Sequence, residues 1–227
     1  MKILVLGDGL LGSEIVKQTN WDCISRKKDG FDITSSEFNF IEYDTIVNCI
    51  AYTNTYSNDR DLNWNINYKS VANLVDYCNK YNSKLVHIST DYVYTNSISN
   101  ASELDIPIHG NNWYSYTKLL ADAYIELKSN NYLICRGTHK PNPFPYENAW
   151  INQLGNFDYV DTMASLIIDL VMSNNFGIFN VGTEFKSMFD LAKVTNENVK
   201  PVGKPEHVPN NTSMNIEKFN KLFNKNE

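Results

Sequence analysis

A doubly wound parallel α/β sheet is the fold class this sequence predicts, and three observations predict it. Short apolar runs alternate with helical patterns through the first two-thirds of the chain. A glycine-rich turn follows the first apolar run and opens a helix. Residues suited to ligand contact cluster where the apolar runs end, which is where such sheets bind their ligands.

The elements follow in order. Lys2–Leu6 reads as a strand, Ser13–Gln18 as a helix starting at Gly12-Ser13, and Asp22–Ser25 as a short second strand. Thr45–Ile50 is a buried strand. Asn67–Tyr81 is a helix with Val71, Leu74, Val75 and Cys78 on one face. Lys84–Ser89 is a strand, Trp113–Leu127 a helix and Asn131–Arg136 a strand. After Gly137 the pattern changes. His139–Pro145 is a Pro-rich loop, unsuited to helix or central strand. Tyr159–Met172 is helical, Ile178–Val181 strand-like and Ile216–Asn224 a final helix. Residues 1–136 thus form a dinucleotide-binding core, and residues 137–227 complete the sheet and build a small substrate lobe.

The chain has 227 residues and a formal net charge of -6, enough for one sizeable core. The acidic balance argues against a nucleic-acid binder, which needs a basic face. No apolar run approaches the roughly 20 residues that span a bilayer. Met1–Gly7 enters a strand at once, without the layout of a signal peptide, so the reading is soluble and cytoplasmic. Cys23, Cys49, Cys78 and Cys135 show no metal-type spacing and read as buried free thiols.

Gly7-Asp8-Gly9-Leu10-Leu11-Gly12 matches G-x-G-x-x-G directly after a strand. Its glycines permit a tight turn and close approach of backbone to pyrophosphate, and the helix start offers unpaired N–H groups to phosphate. This is the Rossmann arrangement. An NAD site usually carries an acidic residue after the second strand; Ile24-Ser25-Arg26-Lys27-Lys28 stands there instead. Arg binds phosphate bidentately, so Ser25 and Arg26 favour NADPH, with NADH left open. Asp32 and Ile33 could reach the adenine edge.

Tyr114 and Lys118 lie four apart on the Trp113 helix and share a face. An ammonium beside a phenol favours the phenolate, so this pair can act as one acid–base unit. Ser89-Thr90-Asp91 supplies a hydroxyl from a strand end to orient a substrate carbonyl. His87, in mid-strand, reads as a core histidine, and Glu103 as a surface charge.

Taken together, these motifs resemble the extended short-chain dehydrogenases/reductases, and among them the dTDP-4-dehydrorhamnose reductases. Ser89-Thr90-Asp91-Tyr92-Val93-Tyr94 is similar to that family's Ser-Thr-Asp-Tyr-Val-Phe segment, at a similar interval before the Tyr. Asn48-Cys49-Ile50-Ala51, Asn67, Tyr159-Val160-Asp161, Phe179–Gly182 and Asn211–Phe219 resemble further segments in order. The glycine loop is one residue tighter than the family's G-x-x-G-x-x-G, and the region after Arg136 is shorter. Ser115 replaces a usual Gly, and Val208-Pro209-Asn210 stands where an Arg-Pro pair is usual.

The resemblance implies an NADPH-dependent reductase of a 4-keto-6-deoxy nucleotide sugar. Thr90, Tyr114 and Lys118 would be catalytic. The glycine loop, Cys49, Ile50, Ala51 and Asn67 would join Tyr114 and Lys118 around the cofactor. Thr53, Asp91, Tyr92 and Arg136 would contact substrate. Other nucleotide-sugar epimerases or dehydratases, and a non-catalytic NADP-binding regulatory subunit like the methionine adenosyltransferase β-subunit, stay open, as does a homodimer. Fucose synthases fit less well, because no Cys stands near Thr90.

Overall fold

The computed structural model describes residues 1–35 and 37–223. Six strands form one parallel sheet: β1 Ile3–Leu6, β2 Asp22–Ile24, β3 Thr45–Asn48, β4 Lys84–Ile88, β5 Tyr132–Arg136 and β6 Gly177–Asn180. Their order is β6-β5-β4-β3-β1-β2. The sequence direction reverses between β1 and β3, creating the crevice where doubly wound sheets take ligands. β1, β3 and β5 are buried at every residue, as strands covered on both faces must be.

Helices cover both faces. α1 (Leu10–Thr19) and α4 (Val160–Met172) share one core, with Val5, Ile15, Val47, Val86, Met163 and Ile167. α2 (Ser70–Tyr81) and α3 (Trp113–Lys128) share the other, with Leu6, Ile46, Leu74, Leu85, Ile125 and Ile134. Residues after 136 supply β6 and α4. They also build a lobe with its own core, where Phe144, Phe157, Tyr159, Met188 and Leu191 pack together. Two-stranded pairs hold that lobe, among them Asn148–Trp150 with Lys200–Val202.

Several elements differ from the sequence reading. α1 starts a turn earlier, because Gly9 in extended geometry already serves as its N-cap. The helix before β4 begins at Arg60, capped by the Asp59 side chain, and runs through a π-helical stretch, Asn63–Lys69, before α2. α5 (Met188–Thr195) was not expected; a reciprocal Ser187–Asp190 capping box starts it. The last helix, α6, is Glu217–Phe223, and Asn224 lies outside the described residues. The Glu103 carboxylate is no loose surface charge, since it accepts the Asn180 N–H at 2.8 Å. Among the described residues, no helix is long and apolar enough to cross a membrane.

Candidate active site

The glycine turn is built by contact distances. Gly7 has φ +97°, a conformation that side-chain-bearing residues rarely adopt. A Cβ on Gly12 would stand 2.1 Å from the Gly7 carbonyl oxygen. A Cβ on Gly9 would meet no atom within 4 Å. Gly7 and Gly12 therefore close the turn, while Gly9 leaves an open approach to the N–H groups of the first turn of α1. The turn fits a pyrophosphate.

At the neighbouring strand ends, Thr90 caps a short 3₁₀ turn: its hydroxyl accepts the Tyr92 N–H at 3.2 Å. Tyr114 sits in the first turn of α3, which Asn112 caps by accepting the Ser115 N–H. Burial pushes the Tyr114 phenol up to about 12; the Thr90 hydroxyl opposes this, and Asp91 and Asp122 add to it. Lys118, one turn on, is 1% exposed. Its Nζ lies 2.7 Å from the Ile88 carbonyl and 2.9 Å from His87 Nε2. Burial brings Lys118 down to about 8, against the pull of Asp122 and Cys49.

The i,i+4 spacing suggested that Lys118 acidifies Tyr114. Lys118 is held by β4, and burial is the largest influence on the phenol.

A cavity of about 380 Å³ collects half of the expected residues: Gly9, Leu10, Leu11, Cys49, Ala51, Thr53, Thr90, Tyr92, Tyr114 and Lys118. Thr138, His139 and Lys140 also line it, and sequence reasoning missed them. Burial lowers the pKa of both His139, to about 4, and Lys140; Lys140 lowers His139 further, and Asp91 acts against the fall at Lys140. A His-Lys pair just past a strand end was the available signal.

The Tyr92 hydroxyl stands 3.1 Å from that of Tyr56, which lines an adjoining groove of about 1010 Å³ with Trp64, Trp113 and His207. That groove is larger, but none of Thr90, Tyr114 and Lys118 lines it. The smaller cavity is therefore the candidate active site.

Other expected residues serve this site from behind. Arg136 is buried; its Nε donates to Asp122 Oδ2 at 2.9 Å and its Nη1 to the Tyr94 hydroxyl at 2.5 Å, so it turns inward and not toward substrate. Asp91 is buried too. It accepts hydroxyl hydrogen bonds from Thr90 at 3.2 Å, Thr212 at 2.6 Å and Thr138, and so ties three segments together without lining the cavity. Asn67 grips the loop after β3 by hydrogen-bonding both the N–H and the carbonyl of Tyr52, at 2.7 and 3.1 Å. Ile50 packs on Gly7.

The Ser25 hydroxyl is used as a helix cap for Lys28, and its N–H is held by Asp29 at 2.8 Å. Arg26 is exposed beside it. Asp32 caps the Thr34 turn, and Ile33 is buried. Cys23 and Cys49 are only partly buried, unlike Cys78 and Cys135; all four are free.

A glycine turn after β1 and a crevice at the strand ends, where Thr90, Tyr114 and Lys118 line one cavity, define a Rossmann-type fold. Residues 1–139 match the model of the RmlD substrate binding domain family, and the chain belongs to that family.

It is similar to the spore coat polysaccharide biosynthesis protein SpsK of Bacillus subtilis (strain 168), with 26% identity over 176 residues. That match covers 73% of this chain and 58% of SpsK, so the chain spans little more than half of that relative.

Among solved structures, a hypothetical dTDP-4-dehydrorhamnose reductase from Sulfolobus tokodaii superposes with a TM-score of 0.81 at 24% identity, covering 98% of this chain and 94% of that one. The dTDP-4-dehydrorhamnose reductase of Clostridium acetobutylicum ATCC 824 gives 0.83 at 23%, covering 98% and 92%. That of Bacillus anthracis str. Ames, in complex with NADP, gives 0.79 at 23%, with the same coverage. These likenesses show the fold.

Proposed function

We propose that this protein is an NADPH-dependent reductase that reduces C4 of a 4-keto-6-deoxy nucleotide sugar, as a dTDP-4-dehydrorhamnose reductase does. The observation that carries the reading is the convergence of the open Gly9 approach, Thr90, Tyr114 and Lys118 on one cavity. The NADP complex of the Bacillus anthracis relative supports the cofactor. So does the turn after β2, where Arg26, Lys27 and Lys28 are exposed and Asp29 is spent on the Ser25 N–H.

Bound NADPH supplies the hydride, with NADH the alternative donor. The chain's residues do the rest. The turn at Gly7–Gly12 binds pyrophosphate, and Arg26 pairs with the 2′-phosphate. Lys118 holds the nicotinamide ribose. The Thr90 hydroxyl, rotated away from its 3.2 Å hydrogen bond to Asp91, donates to the substrate carbonyl oxygen where negative charge develops. Tyr114, kept protonated by burial, donates its phenolic proton to that oxygen as general acid. Thr53 and Tyr92 contact the sugar, and the nucleotide extends into the groove beside Tyr56.

The test is NADPH oxidation with dTDP-4-keto-6-deoxy sugar generated by a dehydratase, comparing wild type with Tyr114→Phe. Oxidation that the substitution abolishes, with NADPH binding retained, supports the reading; equal rates sink it. One observation favours a second reading, a non-catalytic NADP-binding subunit: Lys118 is engaged by β4, through His87 and the Ile88 carbonyl. Such a subunit would bind NADPH, turn over no keto-sugar and co-elute with a partner enzyme.

A further inference from the structure

His87 is fully buried in mid-β4 and hydrogen-bonds at both ring nitrogens. Nδ1 lies 3.3 Å from Asn48 Nδ2 on β3, and Nε2 lies 2.9 Å from Lys118 Nζ on α3. The orientation of the Asn48 amide is fixed from its other side. The Ile50 backbone N–H, which can only donate, reaches Asn48 Oδ1 at 3.1 Å. The amide therefore turns its NH₂ toward His87, and Nδ1 must accept.

A neutral imidazole carries one N–H. With Nδ1 accepting, the proton sits on Nε2 and points at Lys118. Lys118 meanwhile donates to the Ile88 carbonyl at 2.7 Å. An amine satisfies this pattern, because its lone pair accepts from His87 while one N–H donates to Ile88. An ammonium has no lone pair. Protonating Lys118 would force the His87 proton onto Nδ1, against the Asn48 NH₂.

We propose that Asn48 and His87 form a tautomer lock that favours the neutral amine of Lys118, which makes His87 a positioning residue acting through that lysine. The lock rests on geometry alone; its consequence for turnover rests on the reductase reading, in which Lys118 holds the cofactor ribose. Other charged or titratable groups bear on Lys118. Asp122 lies one turn further along α3 and favours the charged form, as does Cys49 after β3. Tyr114 stands one turn before it, and Arg136 from β5 engages Asp122. Burial acts in the same direction as the lock, lowering both Lys118 and His87.

The lock is tested without cofactor or turnover, so its failure and that of the reductase reading are separable. The full chain is labelled with [ε-¹³C]lysine and titrated by NMR, and the Lys118 signal is identified by its loss in Lys118→Met. In wild type, Lys118 is expected to titrate at or below about 8, well under its ordinary 10.5.

Asn48→Leu removes the NH₂ that forbids the Nδ1 proton, and adds no charge. It should raise the Lys118 midpoint by about one pH unit or more, a tenfold change in protonation. His87→Gln, whose carbonyl can accept from an ammonium, should raise it too. A wild-type Lys118 midpoint at the ordinary 10.5 overturns the lock, whatever the variants do. An unchanged midpoint in folded Asn48→Leu or His87→Gln also overturns it.

Discussion

Arg136 Nε donates to Asp122 Oδ2 at 2.9 Å with the two side chains only 3% and 1% exposed, in the layer beneath the active site. Ser89, the residue before Thr90, donates to the same oxygen at 2.9 Å. The ion pair therefore anchors the strand end that carries the Thr90 hydroxyl. Breaking one side leaves a buried charge uncompensated, a loss of about 3–5 kcal/mol. Asp122→Ala should lose stability of that order in urea unfolding, and Asp122→Leu combined with Arg136→Met should recover much of it. Wild-type stability in Asp122→Ala would contradict this account.

The glycine turn separates fold from ligand approach. Gly12→Ala drives a methyl group into the Gly7 carbonyl and should lower the melting temperature and abolish NADPH binding together. Gly9→Ala meets no protein atom, so the fold should be kept. Its methyl group stands where the pyrophosphate approaches, and NADPH affinity should fall by about tenfold or more, roughly the cost of one lost hydrogen bond to a charged group. Thermal unfolding and a nucleotide fluorescence titration of both variants check the contrast.

Lys118 sets a pH dependence of stability. Its folded value, about 8, lies below the ordinary 10.5. Below about 8 both states hold the proton, and the penalty for burying the charge is present in full. Between these values the unfolded chain binds more protons, so stability rises with pH. Relative to Lys118→Met, wild type should gain up to about 3 kcal/mol across that window. Denaturation curves at neutral and alkaline pH measure the gain; a flat difference would contradict it.

The sheet and the glycine turn were legible because buried parallel strands read as continuous apolar runs, such as Ile3–Leu6 and Thr45–Val47. Tyr114 and Lys118 were legible from helical spacing. Extending that spacing by one turn reaches Asp122, the partner that turns Arg136 inward, and the signal was there to use. His87 was legible as a core histidine, but its proposed role was not, since that depends on Asn48 across the sheet and on a lysine from a later helix. The π-helical stretch Asn63–Lys69 hid for a different reason, since Asn63-Trp64-Asn65-Ile66-Asn67 has no apolar period. In the lobe, strands of two or three residues are too short to carry any period.

The central claim is that hydride reaches C4 of a keto-sugar with Tyr114 as proton donor. The most direct measurement is turnover of dTDP-4-keto-6-deoxy sugar with NADPH deuterated at the transferred position of the nicotinamide, followed by NMR of the product. The account predicts one deuterium at C4 in the wild-type product and none with Tyr114→Phe. Deuterium at another carbon, or incorporation that survives loss of the Tyr114 hydroxyl, would contradict it.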